Sequence, residues 1–341
     1  MPARPPQRRL DGHTLPFAMP HNRPLRILLS EATFARIGDA MATALEGRPF
    51  EPVFSALRAS DAPTGVDAAF ISRDVTGLST KYVVQEPLQA FYESLRLSPG
   101  LQWVHAHSAG ADRPIFPELI ARGVRVTMSP GANADVVVQT ALAGMLSLAR
   151  HFPKLMAAQH ARRWAPLISD LPVDLAGQTA VVVGWGPIGQ GLGAFLRMLN
   201  MKVIALRRAP VSDEEGVETH AFEALNELAP RADWLILACP LTDRTRRLLD
   251  RRTFTAIKPG ARLINVARGE VVVESDLIAA LQEGVLSGAY LDVFEHEPLQ
   301  KESPLWALDN VMVTPHSAGH SDGNTGRVDQ IFLQHLREWA A

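Results

Sequence analysis

Three valines running straight into three spaced glycines constrain this chain more than any other feature. Val181-Val182-Val183-Gly184-Trp185-Gly186-Pro187-Ile188-Gly189 sets an apolar, strand-like run against a G-x-G-x-x-G turn, and a helical pattern follows from Pro187 and Ile188. In that setting Gly184 permits a tight turn, Gly186 lets a pyrophosphate approach the backbone, and Gly189 lets the helix close on the strand. The helix start adds free N–H groups and the positive end of its dipole. Glycines also serve ordinary turns, but strand, turn and helix here occur in the order that a dinucleotide site requires.

The rest of the chain repeats this grammar in two series. Leu25–Leu29, Val53–Leu57, Asp67–Ile71, Leu101–His105 and Val124–Thr127 read as strands, with a helix over Ala32–Leu45. A long Ala-, Leu- and Val-rich helical pattern covers Asn133–His151. Six more strand-like runs then follow: Ala180–Val183, Lys202–Ala205, Trp234–Leu237, Arg262–Asn265, Gly288–Leu291 and Val311–Val313. Strands alternating with helices predict right-handed crossovers and parallel sheets, so the fold class is α/β. At 341 residues the chain suits two domains.

Composition narrows the function classes. Lys plus Arg total 34 against 36 Asp plus Glu, and this near-balance argues against a general nucleic-acid or anionic-membrane binder. No apolar run approaches the roughly 20 residues of a membrane helix, so a soluble protein is expected. The single cysteine, Cys239, cannot pair internally, which points to a reducing, cytoplasmic compartment. Residues 1–24 are rich in Pro and Arg, lack an apolar run, and read as a disordered arm rather than a targeting helix.

Cofactor choice has its own signal. Eighteen residues beyond Gly189, where an NAD site carries an acid for the ribose hydroxyls, stand Arg207 and Arg208. Two guanidinium groups there suit a 2′-phosphate, so NADP is the preferred cofactor and NAD remains open. Two solvated loop arginines are the plainer alternative.

Five separate strings now make the chain resemble the D-isomer-specific 2-hydroxyacid dehydrogenase family, in its glyoxylate/hydroxypyruvate reductase-like form. They are the glycine turn, Cys239-Pro240-Leu241-Thr242 with Thr245, Leu263-Ile264-Asn265-Val266-Ala267-Arg268-Gly269, Leu291-Asp292-Val293-Phe294-Glu295-His296-Glu297-Pro298, and Thr314-Pro315-His316. The resemblance spans nearly everything after the N-terminal arm. It implies two Rossmann-like or flavodoxin-like domains with parallel sheets. A nucleotide domain of 132–315 would be inserted into a discontinuous substrate domain of 25–131 and 316–341. It also implies a homodimer, for which the helix Asp135–Leu148 is one candidate contact, a core or cleft role being equally consistent.

The same resemblance assigns roles. Arg268 would bind the carboxylate and carbonyl oxygen of a small 2-oxo acid, Glu297 would partner His316, and His316 would give or take the proton. Cys239, Pro240, Thr245, Val266, Ala267 and Asp292 would lie by the cofactor, with a structural role also open for Asp292. The turn Ser108-Ala109-Gly110 would receive the substrate carboxylate on backbone N–H groups, and no metal is expected. These residue types fit the chemistry: an imidazole with an ordinary pKa of ~6.5 is a serviceable acid near neutrality, and a planar guanidinium meets two oxygens at once. Glu297 is chosen over Glu295 because it directly precedes Pro298. Arg73, Asp74 and Thr76 fall in a substrate-side loop; His105 and His107 have no counterpart. Trp306 matches a segment of glyoxylate- and hydroxypyruvate-reducing members or is a core tryptophan. Gln139 stands where many members have Glu, and Trp185 is larger than usual and could crowd the nucleotide. Reduction of a 2-oxo acid to the D-2-hydroxy acid is the leading expectation. Phosphite-type oxidation on the same fold and a non-catalytic dinucleotide-sensing interaction protein remain open.

Overall fold

A computed structural model describes residues 23–210 and 216–341. The expected arm therefore lies outside the described residues up to 22. Arg23, within it, already belongs to the fold, since its guanidinium grips the buried Asp67 carboxylate at 2.5 and 2.8 Å.

Two all-parallel sheets carry the structure. The first has β1 (Leu25–Leu29), β2 (Phe50–Phe54), β3 (Ala68–Ile71), β4 (Trp103–Ala106) and β5 (Arg125–Thr127) in the order β2-β1-β3-β4-β5. The second has β6 (Thr179–Val183), β7 (Lys202–Leu206), β8 (Glu218–His220), β9 (Trp234–Leu237), β10 (Ala261–Asn265), β11 (Leu286–Leu291) and β12 (Val311–Val313), in the order β12-β11-β10-β9-β6-β7-β8. Both are doubly wound, with chain order reversing between β1 and β3 and between β6 and β9. Ligands bind such sheets outside the strand carboxyl ends at that reversal. Burial explains the strand sequences. Val181, Val182 and Val183, and likewise Trp234 to Leu237, are almost wholly enclosed because helices cover both sheet faces.

Two strand readings need correction. The second sheet has seven strands, not six, and the extra one, Glu218-Thr219-His220, is polar throughout. As an edge strand it buries little, so no apolar run marks it. The second strand is Phe50–Phe54 rather than Val53–Leu57, in register with Leu25–Leu29. Pro52 sits within it at no cost, because this strand is also an edge.

The long helix forms over Ala134–Ala149 and turns Val137, Val138, Ala141, Met145 and Leu148 into a core under the second sheet. Gly144 is required there, since a Cβ would lie 2.5 Å from the Tyr290 ring. The last helix, Asn324–Ala340, returns to the first sheet and stacks Phe332 on Phe70 at 4.2 Å. No helix among the described residues is long and apolar enough to cross a membrane.

Candidate active site

The glycine turn joins β6 to the helix Pro187–Met198 at the point where the second sheet reverses. Gly184 has φ +104°, and a Cβ on it would lie 2.6 Å from the Cys239 backbone nitrogen. On Gly189 a Cβ would collide with the Gly184 carbonyl, whereas Gly186 faces open space. This cradle fits a nucleotide pyrophosphate: two positions are closed by backbone packing and the third is left clear, beside the N–H groups of a helix start. Pro187 is exposed at that start and Ile188 packs on the core. Trp185 does not project freely, for its ring lies against Gly193 of the same helix. At the end of β7, the Arg207 N–H donates to the His220 carbonyl at 2.8 Å, and Arg208 is exposed beside it.

Next to this cradle, Cys239 is buried, and burial pushes its thiol up to about 12, so it stays protonated and inert. Pro240 is exposed, and the Thr245 hydroxyl donates to its carbonyl at 2.6 Å while accepting from Thr242 N–H at 2.8 Å. That side chain shapes the turn from within. Val266 and Ala267 are buried past the end of β10, where Asn265 accepts the Ala267 N–H at 3.1 Å.

From there the chain presents Arg268. Its Nε donates to Asp112 Oδ2 at 3.0 Å and its Nη1 to the Ala267 carbonyl at 2.8 Å. Nη2 lies over Gly110, where a Cβ would sit 2.8 Å from it. Burial raises Asp112, but the Arg268 charge and hydrogen bond outweigh it and hold the carboxyl below the usual range. Ser108 closes the opposite turn by donating to the Gly110 carbonyl at 3.1 Å. No acceptor among the described residues takes the Ala109 or Gly110 N–H. The structure thus brings Arg268 and the Ser108–Gly110 turn together from opposite sheets.

His316 follows β12 with φ +51° and is pinned by its neighbours. Its N–H donates to the Asp292 carbonyl at 2.9 Å. The buried Asp292 carboxylate accepts from the Thr314 hydroxyl at 2.6 Å and from the N–H groups of Ser317 and Ala318 at 2.8 and 3.1 Å. Burial still leaves Asp292 above its ordinary value. Tyr290 shares a 2.7 Å hydrogen bond with Thr314. Asp292 therefore holds the His316 segment from beneath. The His316 Nδ1 meets Glu297 Oε2 at 2.8 Å, and Glu297 Oε1 accepts the Phe294 N–H at 3.2 Å. Burial alone would raise Glu297, but His316 more than offsets it and the carboxyl is lowered. Glu295 instead faces Arg247 at 3.9 Å and His296 lies by Tyr82, so the choice between the two glutamates agrees with the geometry.

Other readings fall elsewhere. His105 is buried between Thr127 and Ser129, and burial with His335 and His107 pushes it to about 3, which makes it structural. Trp306 is 53% exposed and bonds the Gln300 carbonyl, so it is no core residue. Gln139 is exposed on its helix. Sequence reasoning assigned nothing to residues 79–83, yet these reach across to the other sheet's loops. Thr80 donates to the Glu297 carbonyl at 3.2 Å, Tyr82 to the Glu295 carbonyl at 3.0 Å, and Lys81 pairs with Glu270. Asp112, two residues past the Ser108–Gly110 turn, is a second such residue. Ion pairs between segments over a hundred residues apart leave no spacing signal.

Comparison with known proteins agrees with this geometry. Residues 142–318 match the family model described as D-isomer specific 2-hydroxyacid dehydrogenase, NAD binding domain. Glyoxylate reductase of Pyrococcus horikoshii is 35% identical over 246 residues, 70% of this chain and 73% of that protein. Glyoxylate/hydroxypyruvate reductase B of Yersinia pseudotuberculosis is 36% identical over 231 residues, 66% of this chain and 71% of its own length. Among solved structures, the D-isomer specific 2-hydroxyacid dehydrogenase of Xanthobacter autotrophicus, in complex with NADPH and MES, superposes with a TM-score of 0.69 at 28% identity, covering 92% of this chain and 95% of that one. The NADPH-dependent glyoxylate/hydroxypyruvate reductase of Sinorhizobium meliloti, with NADP and sulfate, gives 0.69 at 25%, covering 92% and 93%. With its doubly wound sheet and glycine cradle, the chain belongs to the D-isomer-specific 2-hydroxyacid dehydrogenase family and is an NAD(P)-dependent dehydrogenase.

Proposed function

We propose that this enzyme reduces a small 2-oxo acid of the glyoxylate or hydroxypyruvate type to the D-2-hydroxy acid, with NADPH favoured over NADH. The observation that carries the reading is the 2.8 Å contact of His316 with Glu297, whose loop packs at Phe294 and Glu295 on Gly269, next to the Arg268 that reaches Gly110. Gly184, Gly186 and Gly189 would hold the pyrophosphate and Arg207 and Arg208 the 2′-phosphate. When bound, the reduced nicotinamide supplies a hydride to the carbonyl carbon. Arg268 and the free N–H groups of Ala109 and Gly110 hold the substrate carboxylate, and Arg268 draws charge onto the carbonyl oxygen. His316 gives that oxygen its proton from Nε2, because Nδ1 is committed to Glu297. Glu297 keeps the ring oriented through that contact. Hydride on carbon and proton on oxygen complete the 2-hydroxy acid.

NADP preference is supported by the two arginines and by solved relatives carrying NADPH or NADP. The division into a 25–131 plus 316–341 substrate domain and a 132–315 nucleotide domain is supported by Val328, Phe332 and Leu336, which pack into the core of the first sheet. A homodimer in the cytoplasm completes the reading. Exposed Phe152, Met156, Trp164, Ile168 and Leu171 offer the apolar surface for the pairing. Assay of glyoxylate, hydroxypyruvate and pyruvate with NADPH and with NADH tests it. Turnover with NADPH, at least tenfold better by kcat/KM than with NADH, is expected; cofactor binding without turnover of any 2-oxo acid would defeat it.

A further inference from the structure

Arg73 begins the short helix Arg73–Thr76 at the carboxyl end of β3, in the crevice where the first sheet meets the candidate site. Its Nη2 lies 2.8 Å from Nε2 of His320, four residues beyond His316 on the same segment. That contact joins the small-sheet loop to the chain that carries the proposed proton donor. Since the guanidinium only donates, His320 must accept, with its own proton on Nδ1.

Four cations that bridge distant segments elsewhere in the structure meet acids: Arg23 has Asp67, Arg36 has Asp329, Lys81 has Glu270 and Arg268 has Asp112. Arg73 does not. Among the described residues no carboxylate oxygen lies within ion-pair distance of it, and the adjacent Asp74 is turned to the hydroxyls of Ser30 and Thr33. A second guanidinium, Arg113, stands on the same side, bonded to the carbonyls of Thr80 and Ser79 at 2.9 and 2.7 Å and, among the described residues, to no acid. Surrounding protein and the Arg113 charge hold Arg73 below its ordinary value even though its side chain reaches solvent. His107 donates Nε2–H to the Thr76 hydroxyl, and burial with Arg73 and Arg113 pushes it to about 3. His320 is lowered by burial, then by Arg73 and His316. The two imidazoles are held toward their neutral forms, and among the described residues neither guanidinium is ion-paired with an acid. Asp74 acts on His107 and Asp292 on His320, and both carboxylates are already bonded to hydroxyls.

A crevice that keeps two like charges together without an acid is stabilised when an anion enters it. The 2-oxo acid head is not that anion in our reading, because Arg268 and the Ser108–Gly110 turn receive it. His107, immediately before that turn, separates it from Arg73. We propose that the preferred substrate carries a second anionic group, a carboxylate or a phosphate monoester, at the end away from its 2-oxo acid head, and that Arg73, flanked by His320, binds it. This rests on the proposed 2-oxo acid reduction and narrows its substrate from glyoxylate and hydroxypyruvate themselves to longer acids of that type that bear such a group.

The test compares charged 2-oxo acids with neutral analogues, using wild-type enzyme, Arg73→Gln and Arg73→Lys. The pairs are oxaloacetate with 2-oxobutanoate, 2-oxoglutarate with 2-oxopentanoate, and 3-phosphohydroxypyruvate with hydroxypyruvate. For at least one pair the wild-type kcat/KM should favour the charged member, and the pair distinguishes carboxylate from phosphate. Arg73→Gln should reduce that ratio by roughly ten- to hundredfold, the scale of one charge-assisted hydrogen bond, mainly through KM. Arg73→Lys should restore part of it. If no charged acid outperforms its analogue, or if Arg73→Gln lowers both members equally as a mere domain latch would, the proposal is overturned. A thermal-shift titration of the NADPH-bound protein with 2-oxoglutarate, oxaloacetate and 3-phosphohydroxypyruvate separates the two readings. Stabilisation that depends on Arg73, without turnover of any 2-oxo acid, would sink the reaction and keep the anion subsite. No dependence on Arg73 in either readout sinks the subsite.

Discussion

Glycines on the two sides of the cleft are required for different reasons. At Gly184 an added Cβ would meet the Cys239 and Ala238 backbone, at Gly189 the Gly184 carbonyl, and at Gly269 the Phe294 backbone. At Gly110, on the substrate side, it would meet only the side chains of Arg268 and Asp112, 2.8 and 3.2 Å away. The nucleotide side is shaped by main chain packed on main chain, which cannot give way. The substrate side is shaped by side chains that reach across and can move. A rigid cofactor cradle and an adjustable substrate wall would suit the proposed reaction.

The largest expected effect lies where both sides converge. His316→Asn should lower kcat by roughly 10²–10⁴-fold, the range for loss of a positioned proton donor, while NADPH still quenches tryptophan fluorescence on binding. Retained turnover would break the idea that the His316–Glu297 pair does the chemistry. Next comes the glycine contrast itself. Gly189→Ala should weaken NADPH binding by roughly a hundredfold, as expected of an unrelieved backbone clash, with a fall in Tm. Gly110→Ala should instead raise the KM for the 2-oxo acid and spare cofactor affinity; equal behaviour of the two variants would erase the distinction.

Arg207→Glu combined with Arg208→Glu should move the NADPH-to-NADH ratio of kcat/KM towards NADH by roughly tenfold or more, at 1.5–3 kcal/mol per charged hydrogen bond. An unchanged ratio would make these arginines solvent-facing bystanders. The smallest effect concerns the bridge across the cleft. Asp112→Asn should raise the substrate KM a few-fold by unpairing Arg268. Because the Asp112 carboxyl is held below its ordinary value, the stability it confers is present above the unfolded value of about 3.9 and is lost as pH falls through the lower folded one. The Tm gap between wild type and Asp112→Asn should thus stay constant from pH 7 to 5 and close below about pH 4. A gap that persisted in stronger acid would show that the pair is not ionic.

The same contrast accounts for what could be read in advance. The glycine turn, the strand Leu263–Asn265 leading to Arg268, and the Thr314-Pro315-His316 string all lie where local backbone geometry admits few residue types. These strings therefore stood out in residue order, as did Glu297, which the structure places against His316. Burial on both faces made Val181–Val183 and Trp234–Leu237 plain as strands. The polar edge strand Glu218–His220 escaped notice because it has no such burial to advertise. Phe50–Phe54 was shifted because its register is dictated by pairing with Leu25–Leu29 and not by its own pattern. The Thr245 hydroxyl bonds the Pro240 carbonyl, a local contact that residue order does not announce.

By itself, then, the amino-acid order determined two doubly wound sheets, a nucleotide cradle and the identities of an arginine, a glutamate and a histidine suited to acid reduction. Periodicity and forbidden side chains are local properties, and they survive in a one-dimensional string. Only the tertiary structure decided that Asp112 faces Arg268, that residues 79–83 clasp the backbone at Glu295 and Glu297, and that Arg73 meets His320 without an acid. Those contacts join segments 156 to 247 residues apart, where any partner of suitable charge or hydrogen-bonding capacity would serve and no spacing rule selects one.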